Sequence, residues 1–217
     1  MIRLNKGTRP SILERRAEQW TRELLEKINR GEEPTKVEKT RYNHHEVKEA
    51  LLRETNGKCA YCESKLRHVA FGDIEHIVPK SVLPDRWFVW ENLTLACDVC
   101  NTNKSNYSGD HDEFVDPYAN EPEDLFWFMD ATLWGFPGKD AADTTIRILK
   151  LNRPDLLEKR REKLNYLMKL LQVIARTHSE YLKEELKKDF GNETNPDKEY
   201  AALAREFFKR AAARLKW

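Results

Sequence analysis

The sequence predicts an α+β chain, mainly helical, in which a small zinc-stabilised core is flanked by N- and C-terminal helices. Three observations predict it. Apolar residues recur at helical spacing toward both ends, two Cys-x2-Cys pairs stand in the middle, and the periodicity around those pairs breaks into short segments. Residues 1–56 then read as an N-terminal helical segment, 57–106 as the core, 107–142 as an irregular connection, and 143–217 as a C-terminal helical region suited to partner docking.

Leu13, Ala17, Trp20, Leu24 and Ile28 follow Pro10 and Ser11 at steps of three or four, and Gly31 with Pro34 closes the pattern. An amphipathic helix is expected there. A shorter helix is expected across "NHHEVKEALLRET", ended by Asn56 and Gly57. "HVAFGDIEHIV" and "ENLTLA" read as strands or extended loops around turn residues. Residues 108–142 are rich in Asp, Glu, Pro and Gly, with one apolar knot at "LFWFM", and read as irregular. Helices resume at "DTTIRILKLN". Pro154 suits the first turn of a long helix whose Leu157, Leu164, Met168, Leu171, Ala175 and Leu182 make one stripe. "GNETNPDKEY" breaks that helix, and a last one runs to Trp217.

At 217 residues the chain is long enough to bury a core without disulfides. Charged residues make up 35%, above the roughly 25% of an average globular chain, which suits helices with solvated faces. The net charge of +1 hides a gradient. Residues 106–149 hold ten Asp and Glu against two Lys and Arg, and residues 150–217 hold eleven against seventeen. A basic helical tail suits nucleic acid or an acidic partner, although such runs are more often solvated faces. The N-terminus has no apolar leader-like region, and no apolar run approaches the roughly 18 residues of a membrane span. A cytoplasmic protein with no membrane partner is expected. In that reducing compartment, paired cysteines point to metal rather than to disulfides.

Cys59, Cys62, Cys97 and Cys100 offer four soft thiolates at two tight turns, the ligand set and spacing of a closed tetrahedral zinc site. What surrounds the second pair asks for more than a clip, because Asn101 follows at once and Lys104 three residues later.

Cys-x2-Cys, then "DIEHIVPKS", then "ENLTLAC", then Cys-x2-Cys-Asn-x3-Lys resembles the signature of the HNH endonucleases. The resemblance covers residues 57–106 and implies a beta-beta-alpha-metal hairpin and helix. By motif position it implies His76 as general base, Asn92 as the middle Asn, and Asn101 as a ligand of a catalytic metal. Glu75 falls where the family places an acidic metal ligand, often Asp or His, and Asp73 supports the metal from outside. The chemistry accounts for these residue types. Phosphodiester cleavage must activate a water and offset charge on the phosphoryl and leaving oxygens. An imidazole near pKa 6.5 accepts a proton at neutral pH. Glu75 and Asn101 offer hard oxygen ligands that favour Mg2+ or Mn2+ over Zn2+. Lys104, one turn after Asn101, shares its helix face and is expected to meet a phosphate. Asn92 is expected to pin the loop that aims His76.

With "MIRLNKGTRPSIL", "GKCAYCESKL" and "DTTIRILKLNRPDLLEKRREKL" included, the chain resembles the PtuB family, the HNH component of Septu-type anti-phage systems and of their retron-associated versions. That implies a nuclease effector acting on nucleic acid with an SMC- or ABC-like ATPase, PtuA-like, as partner. DNA is the expected substrate. The same site acting on RNA such as tRNA, or a nonenzymatic zinc-ribbon adaptor, are the competing readings. His44, His45, His68 and His178 read as structural or surface residues, and "GDHDEF" as an acidic loop. The aromatics of "RWFVW" and "LFWFM" read as core or interface.

Overall fold

Pro10 sits at φ −61° and ψ 140°, an extended conformation that hands the chain to α1 (Ser11–Asn29). The computed structural model describes residues 1–66, 72–108 and 113–215. Of the α1 stripe, Leu13, Ala17 and Leu24 are buried. The short α2 (Lys36–Lys39) is held by a capping box between Thr35 and Glu38, a Thr-x-x-Glu signal that sequence reading passed over. His44 caps α3 (His45–Glu54) by accepting the Glu46 N–H on Nδ1 at 3.3 Å.

The centre is a hairpin followed by a helix. β1 (Asp73–His76) pairs antiparallel with β2 (Leu93–Ala96), setting Asp73 opposite Ala96 and His76 opposite Leu93. Gly72 leads into β1 at φ +61°, and a Cβ there would lie 3.0 Å from the Ala96 carbonyl oxygen, so the entry to the strand demands glycine. The strand reading of "HVAFGDIEHIV" is met at residues 73–76; residues 67–71, His68 among them, lie outside the described residues, as do His111 of the acidic loop and Trp217. α4 (Asp98–Lys104) starts one residue after β2, and the Cys97 sulfur caps it by accepting the Cys100 N–H at 3.4 Å.

Sequence reading left residues 107–142 irregular, yet they contain a second antiparallel hairpin, β3 (Phe126–Met129) with β4 (Thr132–Gly135). "LFWFM" is its first strand, and Phe126 and Phe128 turn inward while Met129 is exposed. The Asn152 side chain clamps β4 by accepting from Leu133 N–H at 2.9 Å and donating to its carbonyl at 2.8 Å.

α5 (Asp140–Ile148) precedes α6 (Pro154–Arg176) and α7 (Glu180–Asn192). The expected single helix through Leu182 is therefore two. Thr177 turns extended and the Ser179 side chain caps α7. The buried face of α6 runs through Leu156, Arg160, Leu164, Leu167 and Ile174, rotated from the predicted stripe, so Met168 is exposed; Leu182, on α7, is exposed as well. Arg160 takes a core position because its guanidinium donates to Leu151 O at 2.8 Å and Ala131 O at 3.3 Å, linking α6 to the second hairpin's turn. α8 (Ala201–Leu215) completes the described chain.

Among the described residues the architecture is α+β and mainly helical, with two small two-stranded sheets. The β1–β2 hairpin lies between two cores. Ile74, Leu93 and Leu95 pack with α1, α3 and the buried Trp87, Phe88 and Trp90. Ala96 and the cysteines pack with the second hairpin, α5, α6 and α8. No helix among the described residues is long and apolar enough to cross a membrane.

Candidate active site

Two polar constellations grow from the two ends of α4. At its start, Cys59, Cys62, Cys97 and Cys100 bring all four sulfurs within 4.8 Å of one another. The Cys62 and Cys97 sulfurs are 3.9 Å apart. A tetrahedron of Zn–S bonds of about 2.3 Å has edges of roughly 3.8 Å, so the donor set and its spacing suit zinc. Burial pushes the Cys59 thiol up, whereas hydrogen bonding from Cys100 pulls Cys62 down. Arg153, at the mouth of α6, brings its Nη1 to 3.8 Å from the Cys100 sulfur and contributes positive charge beside the cluster.

At the other end, the alternation of β1 decides which side chains face α4. Asp73 and Glu75 do: Asp73 Oδ2 accepts the Asn101 amide N–H at 2.8 Å, and Glu75 Oε1 pairs with Lys104 Nζ at 2.8 Å. Ile74 and His76 point to the opposite side. His76 is 3% exposed, with Nε2 2.9 Å from the Trp87 carbonyl oxygen. A carbonyl only accepts, so Nε2 carries the proton and Nδ1 keeps its lone pair. Burial lowers the His76 pKa to about 3, with Lys80 and Lys104 adding to that effect and the Trp87 carbonyl opposing it. The free imidazole value of the sequence argument is thus corrected downward: burial holds the ring neutral, with the lone pair on Nδ1.

Asn92, 4% exposed, fastens the segment after His76. Its Oδ1 accepts from Val78 N–H at 2.7 Å, and its Nδ2 donates to Val78 O at 3.0 Å and Arg86 O at 3.1 Å. The segment carrying Trp87, and with it the carbonyl that orients the imidazole, is held by one amide.

Residues 59–107 match the HNH endonuclease family.

The chain is 29% identical to a Septu protein PtuB of Bacillus thuringiensis over 159 residues, 72% of this chain and 57% of that protein. It is 27% identical to a Septu protein PtuB of Bacillus mycoides (strain KBAB4), over 55% of this chain and 51% of that protein. The chain spans about half the length of the curated relatives it matches.

Lys104 shares the Asn101 face as helix periodicity suggested, but that face is buried and the lysine meets no phosphate there. It is 1% exposed, and its ammonium donates to the His76 carbonyl at 2.9 Å besides pairing with Glu75. It is an internal strut from α4 to β1, because the face that Asn101 and Lys104 share is the face that packs on the strand. Desolvation raises the Glu75 pKa, and Lys104 opposes that rise. The half-buried cation beside His76 is Lys80, within the quoted "DIEHIVPKS" but passed over. Its Nζ donates to Tyr42 Oη at 2.9 Å and lies 4.9 Å from the Tyr42 ring centroid and 5.5 Å from the Trp87 ring.

An open cleft of about 620 Å³ runs along β1. Gly72, Asp73, Ile74 and Asn101 line one side, and Tyr42, Asn43, His44, His45 and Lys48 the other. The histidine pair, read as structural or surface, shares a cleft with Asp73 and Asn101. No spacing rule links residues 42–48 to the HNH motif; Tyr42 meets His76 edge-on, ring centroids 4.6 Å apart, only through the fold.

The donors on the α4 side fit a hard cation. The Asn101 amide nitrogen is committed to Asp73, which leaves Oδ1 as a hard oxygen donor, and Glu75, with Oε1 paired to Lys104, could offer its second carboxylate oxygen.

Proposed function

We propose that this chain is a metal-dependent HNH endonuclease that hydrolyses nucleic-acid phosphodiester bonds, DNA in the first place. We further propose that it serves anti-phage defence beside an SMC- or ABC-like ATPase, as its likeness to PtuB suggests. The observation that carries the nuclease reading is the state of His76: a buried, neutral imidazole with Nε2–H spent on Trp87 O and Nδ1 available.

In this reading Nδ1 takes the proton of the attacking water. Trp87 O, bonded to Nε2–H, stabilises the imidazolium as it forms. Asn92 keeps the carbonyl and the ring in register, so that no time is lost to a swinging base. Glu75 and Asn101 would hold Mg2+ or Mn2+, with Asp73 orienting Asn101; the ion when bound supplies Lewis-acid stabilisation of the phosphoryl and leaving oxygens. Lys80, rather than Lys104, is the cation that faces the phosphate. A zinc-ribbon adaptor without catalysis needs no oriented imidazole, and it is disfavoured for that reason.

The test is cleavage of a mixture of plasmid DNA and bulk tRNA in Mg2+ or Mn2+, by wild type and by His76→Ala, each copurified with any neighbouring ATPase. Loss of a general base costs about 10² to 10⁴ in rate. His76-dependent shortening of either polymer supports the enzyme and names its substrate. Equal cutting by wild type and His76→Ala removes His76 from the role, and no cutting of either polymer favours the adaptor.

A further inference from the structure

The outer wall of the cleft comes from a segment that lies outside the HNH motif, and its chemistry is that of a ligand site. We propose that Tyr42, His44 and His45 form a binding site for the nucleic-acid backbone next to the scissile phosphate. This deepens, and rests on, the nuclease reading above.

Three features support it. First, the wall and the reaction centre are continuous. Tyr42 lines the cleft, meets the His76 ring edge-on and accepts a hydrogen bond from Lys80, so it joins the cleft to the candidate base. Second, the imidazoles are held in place. His44 Nδ1 accepts the Glu46 N–H at 3.3 Å, which leaves the ring proton on Nε2, and His45 lies against it at 4.3 Å between centroids with 35° between planes. Two oriented rings each offer an N–H to a phosphate oxygen. Third, one oxygen of the neighbouring carboxylate is engaged elsewhere. Glu46 Oε2 accepts the Ile12 N–H at 3.1 Å, and Oε1 lies 3.9 Å from Arg15 as well as from His44 Nδ1. The side chains of His44, His45 and Glu46 also lie close enough to suggest a metal triad. A triad through His44 Nδ1 and Glu46 Oε1, 3.9 Å apart, would leave the Ile12 bond on Oε2 but break the His44 cap on α3, so the phosphate reading is favoured.

The experiment measures binding of a fluorescently labelled DNA duplex and of labelled tRNA to the full chain in a His76→Ala background. It compares that protein with one also carrying His44→Asn and His45→Gln. Asparagine keeps the helix cap while removing the ring. His178→Gln, an exposed histidine away from the cleft, is the control. Losing two hydrogen bonds to phosphate should weaken binding roughly tenfold for whichever polymer is the substrate. With His76 restored, the double variant should raise KM and keep kcat. Unchanged affinity alongside His76-dependent cleavage overturns the site and leaves the nuclease standing. Weakened affinity in a protein that never cleaves keeps the site and sinks the nuclease. If the double variant loses one equivalent of bound metal relative to the control, the pair holds an ion and the backbone site is overturned.

Discussion

The two ends of α4 solve different problems within seven residues. Its N-terminal end gathers four chemically equal sulfurs, and the only requirement is that they converge. Its C-terminal end gathers unlike groups, each fixed by a different partner: Asn101 by Asp73, Lys104 by Glu75 and the His76 carbonyl. The first is a stability device that any cation of the right size and softness closes. The second is a positioning device whose value lies in which atom of each side chain is left over. Substitutions at the two ends should therefore fail in different ways.

Cys97→Ser tests the first end and should have the largest effect. Structural zinc contributes about 10 to 16 kcal/mol of apparent binding energy in small peptides, against about 5 to 15 kcal/mol of net stability for a whole domain. Zinc content should fall and the cooperative melt should vanish; full zinc with an unchanged melt would falsify the clip. Lys104→Met tests the second. It strands Glu75 in a 7% exposed position, and breaking a buried pair costs about 3 to 5 kcal/mol. Zinc should be retained and the melting temperature should drop by roughly 10 °C, less where Glu75 takes up a proton. A melt that does not move would mean that Lys104 is no strut.

Lys80→Ala should separate charge from architecture. Lys80 is half-buried and its side-chain hydrogen bond goes to Tyr42 Oη, so stability should barely change. Cleavage should slow about tenfold to a hundredfold, the range for one charged hydrogen bond. An unaltered rate would show that the phosphate lies elsewhere. The smallest effect concerns pH. A base whose pKa is lowered to about 3 stays unprotonated further into acid, so the acid limb of kcat/KM moves down. The profile should stay level to below the value near 6.5 of a free imidazole. An acid limb centred there would show that substrate or metal restores the ordinary value.

The difference between the two ends also explains what sequence reading recovers. Convergence of like ligands is a matter of spacing, so Cys59, Cys62, Cys97 and Cys100 were legible as a set. The motif order likewise located β1, β2 and α4. Positioning depends on which face of an element is buried, and spacing alone misjudges it. Asn101 and Lys104 share a helix face, but that face packs on β1, so the lysine is internal. On α6 the same problem recurs, because Arg160 satisfies its guanidinium on backbone carbonyls and occupies a core position that a hydrophobic stripe cannot register. Tyr42 and the His44–His45 pair were illegible for another reason: they reach the centre from α3's approach, with no local periodicity that refers to it.

The brevity of α4 has a consequence for how its sequence can vary in length. Each helical residue turns the chain by about 100°, so one extra residue between Cys100 and Asn101 would leave the sulfurs in place and swing Lys104 off Glu75. One residue removed would do the same in the other sense. Beyond Ser105, where φ is 47° and the helix has ended, an added residue rotates nothing that either site uses. The stretch from Cys97 to Lys104 thus behaves as a ruler with fixed graduations, and the chain after it as slack.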